Sequence, residues 1–158
     1  MTSVAFELHR IVDNDVVELD EAALAGVELR DDEPLDGALV FTGDDQPRVA
    51  IIDDLRSAVQ RLCFMSLSAL LQPGEGFGYL YFTSGERAQL DATDDAVAIH
   101  GGDVPDASFP RTELVLALYG CGLRYLEWAK KLGRADDLRQ LGPHADQARD
   151  TLRQAGLI

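Results

Sequence analysis

A chain of 158 residues, 46% hydrophobic and 27% charged, has the composition of an ordinary globular protein, which excludes disordered, collagenous and fibrous classes. Its 28 acidic residues against 14 basic ones give a formal charge of −14, a field that repels nucleic acid and anionic lipid and attracts basic proteins. Apolar runs such as Ala38–Phe41 and Leu114–Tyr119 are far shorter than the ~20 residues of a membrane span, and no basic start followed by an apolar stretch suggests a secretory leader.

The charge is uneven. Residues 1–54 carry fifteen acids and three arginines, a balance of −12, whereas residues 108–158 carry six acids and eight basic residues, a balance of +2. Three readings of this acidity stand side by side: solubility, attraction of a basic partner, and adaptation to high salt, which 19 aspartates and 2 lysines would suit. Cys63 and Cys121 fall inside apolar helical patterns, so they read as buried reduced thiols and point to a cytoplasmic setting.

In chain order, Val4, Phe6 and Leu8 alternate with Ala5, Glu7 and His9, the period of a half-buried strand. Asp13-Asn14-Asp15 turns the chain and Val16–Leu19 returns it. Asp20–Ala25 reads as one helical turn capped by Asp20 and stopped by Gly26, then Val27–Arg30 as a short strand and Asp31–Asp36 as a solvated loop. Ala38–Thr42 is a strand and Gly43–Pro47 a turn. A first long helix starts at Leu55 behind Asp53 or Asp54 as cap, and after Leu62 it is apolar round most of its circumference, so it is expected to be buried on more than one side. Pro73-Gly74 stops it.

Gly76–Phe82 is the most β-prone segment, and Arg87–Ala92 with Ala96–His100 predicts a hairpin about Thr93-Asp94-Asp95. Gly101–Ser108 reads as loop. A second long helix is expected from Ser108 or Phe109, with Pro110 in its first turn and a seam of Leu114, Leu118, Cys121, Tyr125, Trp128 and Leu132. Gly120 and Gly122 inside it imply close contact with another element, because a mid-helix glycine costs ~1 kcal/mol against alanine. Ala135–Leu141 and Pro143–Ala155 read as two shorter helices. The fold class is therefore α+β, a mostly antiparallel sheet packed against two long helices with a short helical C-terminal end, and residues 1–158 form a single domain.

No catalytic signature is present. The cluster Gly74-Glu75-Gly76-Phe77-Gly78 leaves a helix and enters a strand, the reverse of the order that presents free N–H groups to a phosphate. His9, His100 and His144 are far apart in sequence, and neither cysteine has a second cysteine or histidine nearby, so no metal or other cofactor is expected. Ser66 and Ser68 lack an elbow motif, and thiols on buried stripes are unreactive.

Two surfaces remain. The acidic one gathers Asp31, Asp32, Glu33, Asp36, Asp44 and Asp45 in loops between strands, with Tyr79 and Tyr81 as candidate aromatic anchors beside Phe82 and Trp128. The other is the basic C-terminal helical end. Phe109-Pro110-Arg111-Thr112-Glu113-Leu114 followed by Ala117-Leu118-Tyr119-Gly120-Cys121-Gly122-Leu123-Arg124-Tyr125, coming after the Arg87–His100 hairpin, resembles the tail of the small acidic immunity proteins that accompany secreted bacterial toxins. The resemblance implies a cytoplasmic, non-enzymatic inhibitor that occludes a cognate toxin, often a basic nuclease. It carries over no functional residue.

The sequence thus predicts a binding protein that neutralises a basic protein partner, possibly a toxin domain, through its acidic surface, acting on neither nucleic acid nor membrane, as a monomer or weak homodimer. Two alternatives stay open. One is a small enzyme or ligand-binding module with a pocket near His100, Arg87 and Tyr79. The other is a homo-oligomeric structural protein assembled through Gly120 and Gly122.

Overall fold

The structure, a computed structural model, describes residues 1–30 and 33–158. The α+β class is as expected, but the strands divide into two antiparallel four-stranded sheets. The first has the order β2-β1-β3-β4, built from β1 (Ser3–Val12), β2 (Asp15–Leu19), β3 (Asp36–Thr42) and β4 (Val49–Asp54). The second is a meander of β5 (Gly76–Leu80), β6 (Arg87–Ala92), β7 (Ala96–His100) and β8 (Ala107–Pro110).

The β1–β2 hairpin closes on Asp13 and Asn14, both at positive φ, the conformation that a two-residue loop needs to match strand twist and that Asp and Asn tolerate. Every second residue of β1 (Val4, Phe6, Leu8) faces the core, as do Leu39, Phe41, Val49 and Ile51 on the neighbouring strands. β1 outruns both neighbours, and side chains cap the excess. Where β2 has not yet begun to pair, the Phe6 N–H donates to Glu21 Oε2 at 3.3 Å and the Val4 carbonyl accepts from Arg124 Nη2 at 2.7 Å. Glu21 and Arg124 are themselves paired at 2.7 Å.

The first long helix runs from β4 without a loop. Its parts are α1 (Leu55–Ala58), a π-helical stretch Val59–Met65, and α2 (Leu67–Leu70). Asp54 is the cap, accepting from the Ser57 N–H at 3.0 Å. As its all-round apolarity predicts, this helix touches β3 and β4 at one end and two other helices further on. Those two are α3 (Arg111–Lys131) and α4 (Ala135–Gln154). The predicted α3 seam is buried at Leu114, Leu118, Cys121, Tyr125 and Trp128, with Leu132 partly so. One contiguous apolar cluster draws side chains from both sheets and from all of these helices. Both cysteines are buried free thiols, and burial beside Cys121 pushes the Cys63 thiol well above its ordinary value. Among the described residues no helix is long and apolar enough to cross a membrane.

Several expectations are corrected. Val27–Arg30 is not a strand; its chain is held instead by Arg134, whose Nη1 donates to the Arg30 carbonyl at 2.8 Å. β4 is a strand where the sequence marks only a helix cap at Asp53 or Asp54, β8 occupies the end of the expected Gly101–Ser108 loop and the expected first turn of the second helix, and α3 begins at Arg111 with Pro110 as its cap residue. Ala135–Leu141 and Pro143–Ala155 are one helix, not two. Pro143 removes the N–H that would have bonded the Arg139 carbonyl, but both residues lie on the exposed face, where water substitutes. Gly142 before it leaves the proline ring no side chain to meet.

The glycine expectation divides. A Cβ at Gly122 would stand 2.5 Å from Phe64 Cζ and 2.9 Å from Cys63 Cβ, whereas one at Gly120 meets only Arg124 Nη1 at 3.5 Å. Gly122 is therefore consumed inside the core, which removes it from any subunit interface. Gly122→Ala is expected to destabilise by about 1–3 kcal/mol through overpacking, while Gly120→Ala stabilises by up to ~1 kcal/mol through helix propensity. Denaturant midpoints of the two variants check this, and shifts of the same sign would contradict it.

Candidate functional site

The predicted partner-binding residues do not form one surface. Tyr79 is fully buried and Tyr81 is 4% exposed, so neither is a surface anchor. Their positions follow from strand alternation: Tyr79 shares the inward face of the second sheet with Ala88, its cross-strand partner, while Gly76 and Gly78 face out. Side chains of β6 lie over both glycines. A Cβ on Gly76 would lie 2.5 Å from Asp91 Oδ1, and one on Gly78 3.1 Å from Gln89 Oε1. The exposed aromatic of this segment is Phe82, at 76%.

The Tyr79 hydroxyl donates to Asp53, a 3%-exposed carboxylate at the end of β4. Asp53 also accepts from the Phe82 N–H at 2.8 Å, the Thr83 N–H at 3.1 Å and the Thr83 hydroxyl at 3.0 Å. Burial raises the carboxyl, but the donors led by Tyr79 outweigh it and hold Asp53 below its ordinary value of 3.8. Burial, and then the Asp53 charge, keep the Tyr79 hydroxyl protonated far above its usual range. Arg61 stacks on the Tyr79 ring at 4.6 Å and donates to the Leu80 carbonyl at 2.6 Å. The Asp53 bonds clamp the end of β4 to the end of β5 and the segment that follows it.

The pocket expected near His100 is not assembled from the residues named for it. His100 and Tyr79 point to opposite faces of the second sheet, the first exposed and the second buried. His100 Nε2 instead meets Asp91 Oδ2 at 2.8 Å on the open face, both side chains about half exposed (48% and 49%). The His100 hydrogen bond, then that of Gln89, lowers the Asp91 carboxyl.

The acidic residues split between two ends of the first sheet. Asp44 and Asp45 lie exposed in the β3–β4 loop, with Asp44 against the N-terminal ammonium at 2.6 Å. Glu33 and Asp36 lie at the other end of β3, about 20 Å away along a seven-residue strand. Asp31 and Asp32 lie outside the described residues. Because β1 runs antiparallel to β3, the Asp13 and Asp15 turn joins the Glu33 and Asp36 end.

At that end the structure contains a feature that composition could not reveal. β3 pairs with β1 only from Ser3 to Leu8, whereas β2 pairs with it from Leu8 to Val12. Backbone groups of successive residues alternate between the two edges of a strand. Since Val4 and Phe6 face the β2 side, His9 and Ile11 face the side where β3 has ended, and they meet no partner strand among the described residues. Beside them lies a cleft of about 300 Å³ lined by Leu8–Ile11, Leu29 and Glu33–Asp36. Glu33 Oε2 in its wall is withdrawn from water without a hydrogen-bond donor among the described residues.

The wall is held rigidly from behind. Asp137, 1% exposed, accepts from Arg134 Nε at 2.8 Å, the Tyr125 hydroxyl at 3.0 Å and Arg56 Nη1 at 3.3 Å. Arg134, 4% exposed, spends its remaining donors on the Arg30 and Glu33 carbonyls, each at 2.8 Å.

On the outer face of the same hairpin, Glu7, His9 and Glu18 bring one donor atom each to within 4.8 Å of one another. One histidine and two carboxylates on two strands leave no short histidine or cysteine spacing in the sequence to mark this cluster. Its signal was the Asp13-Asn14 turn, whose two-residue loop sets His9 opposite Glu18. Comparison of the chain with known protein families, with curated proteins and with solved structures gives no match.

The Asp53 clamp has a testable pH signature. A carboxyl lowered on folding lends stability that is complete above its ordinary value and fades as pH falls through the lowered one. Tyr79→Phe removes a charge-assisted bond worth about 1.5–3 kcal/mol at pH 7 and returns the Asp53 carboxyl toward its ordinary value. Wild type then loses more stability on acidification than the variant does, so urea unfolding from pH 7 to pH 3 should show the gap narrowing. A gap independent of pH would contradict the assignment.

Proposed function

We propose that the protein is a non-enzymatic binding protein that captures a basic protein partner at the Glu33 and Asp36 end of its first sheet. In the reading that the sequence resemblance favours, the partner is a toxin domain of the nuclease type, and the protein neutralises it by stoichiometric occlusion in the cytoplasm. The observation that carries this is the cleft beside β1, where a strand edge that meets no partner strand among the described residues faces Glu33 and Asp36, with Arg10 the one cation in the described lining. An extended basic segment would pair its backbone with His9 and Ile11 and bring a cationic side chain to Glu33.

The electrostatics and the short-range contacts divide the work. Long-range attraction between the acidic half and a basic partner raises the association rate. Backbone pairing and the burial of Ile11, 78% exposed in the free chain, then set the lifetime. Occlusion of a nuclease would gain from carboxylates standing where substrate phosphates bind.

A low-salt pull-down read by mass spectrometry supplies the partner, and stopped-flow association with that partner supplies the test. The rate constant should fall steeply between 50 and 500 mM salt, as steering across an acidic face requires. Asp13→Lys with Asp36→Lys should slow association roughly tenfold or more, while Asp44→Lys with Asp45→Lys should change it far less. A rate indifferent to salt, or equal effects of both charge reversals, would overturn the assignment.

A further inference from the structure

We infer that Glu7, His9 and Glu18 form a binding site for a divalent transition metal of the zinc class, clamping β1 to β2. The site goes beyond the partner-binding reading and does not depend on it. Three donors from two strands converge within 4.8 Å. His9 Nε2 and Glu7 Oε1 are 3.3 Å apart, the edge of a tetrahedron whose metal–ligand bonds are about 2.0–2.2 Å. Both side chains are largely withdrawn from water, at 11% and 14% exposure. Glu18, the exposed member, stands directly opposite His9 in the β1–β2 register.

Charge and outer contacts agree with a cation there. Arg48 Nη2 holds Glu7 Oε2 at 3.1 Å, so one carboxylate oxygen is fixed by an outer partner while the other faces the imidazole. This is how ligating carboxylates are oriented in metal sites. Arg48 balances one of the two carboxylates. Glu18 has no cationic side chain paired with it among the described residues, so one negative charge is left for the metal. An imidazole with two carboxylates suits zinc, cobalt or manganese, whereas calcium and magnesium favour oxygen donors throughout. Three protein ligands leave a fourth position for water.

The test uses the full chain freed of metal by a chelator and titrated with ZnCl₂ by calorimetry and CoCl₂ by visible absorption. One equivalent should bind, cobalt should develop the absorption of a four- or five-coordinate centre, and the thermal midpoint should rise with free zinc. Glu18→Gln, at an exposed position, should weaken binding roughly tenfold or more and flatten the rise. His9→Ala should do the same, and Asp44→Asn should leave both readouts as in wild type. Absence of saturable binding by wild type would overturn the site. So would several weak equivalents shared alike by wild type and Glu18→Gln, since that is the behaviour of an acidic surface in general.

Discussion

A carboxylate taken out of water is tolerated only where donors replace its hydration, and Asp53 meets that constraint with four of them. Every one of the four comes from the segment Tyr79–Thr83, beyond the long helix in sequence. The end of β4 and the end of β5 are thereby fixed to one another, with the helix Leu55–Leu70 enclosed between them. Asp54, the next residue, turns outward from this duty to cap that helix. Two adjacent acids of like composition thus do different work: one joins the sheets, the other starts the helix.

The same logic recurs where α4 meets the start of the first helix at Arg56, with a full ion pair. Breaking a buried pair by removing one partner leaves the other charge uncompensated, which is far costlier than the pair is worth as a source of stability. Arg134 and Asp137 are arranged so that neither is left over: one carboxylate receives three side chains, and one guanidinium reaches a carboxylate and two backbone carbonyls. The consequence for function is geometric. Arg30 and Glu33 are held against α4, so the cleft wall opposite the β1 edge stands on the core and not on a free loop.

How much of this could be read beforehand depended on whether local signals agreed. The β6–β7 hairpin has alternation on both sides of a polar turn, and its limits came out as Arg87–Ala92 and Ala96–His100. β4 was lost because Val49–Ile52 runs into a capped helix with no turn residue between, so the cap signal absorbed the strand. β8, at four residues, is too short for a period to emerge, and it is specified by Phe109 packing at 6.2 Å on Phe41. Pro143 was read as a break because sequence cannot show that the carbonyl it abandons faces water. For the candidate site, the acidic composition was legible but its division between two ends of β3 was not. That division follows from strand lengths, and the edge at His9 and Ile11, which has no partner strand among the described residues, follows from β3 pairing with β1 only as far as Leu8 while β1 runs on to Val12.

An open strand edge is ordinarily a liability, because any second copy of the chain offers the same unpaired groups. Here the edge at His9 and Ile11 sits between the Asp13 and Asp15 turn and the Glu33 and Asp36 wall. Two copies approaching edge to edge bring like charges together, and that repulsion grows as they close. A basic segment meets the reverse field along the same path. On the proposed reading, the acidity that reads from composition alone as solubility would do two jobs at this one place: it would protect the edge from its own kind and leave it available to a partner of opposite sign. Under that proposal, solubility and partner selection are not competing explanations of the charge but one electrostatic arrangement acting on two kinds of approach.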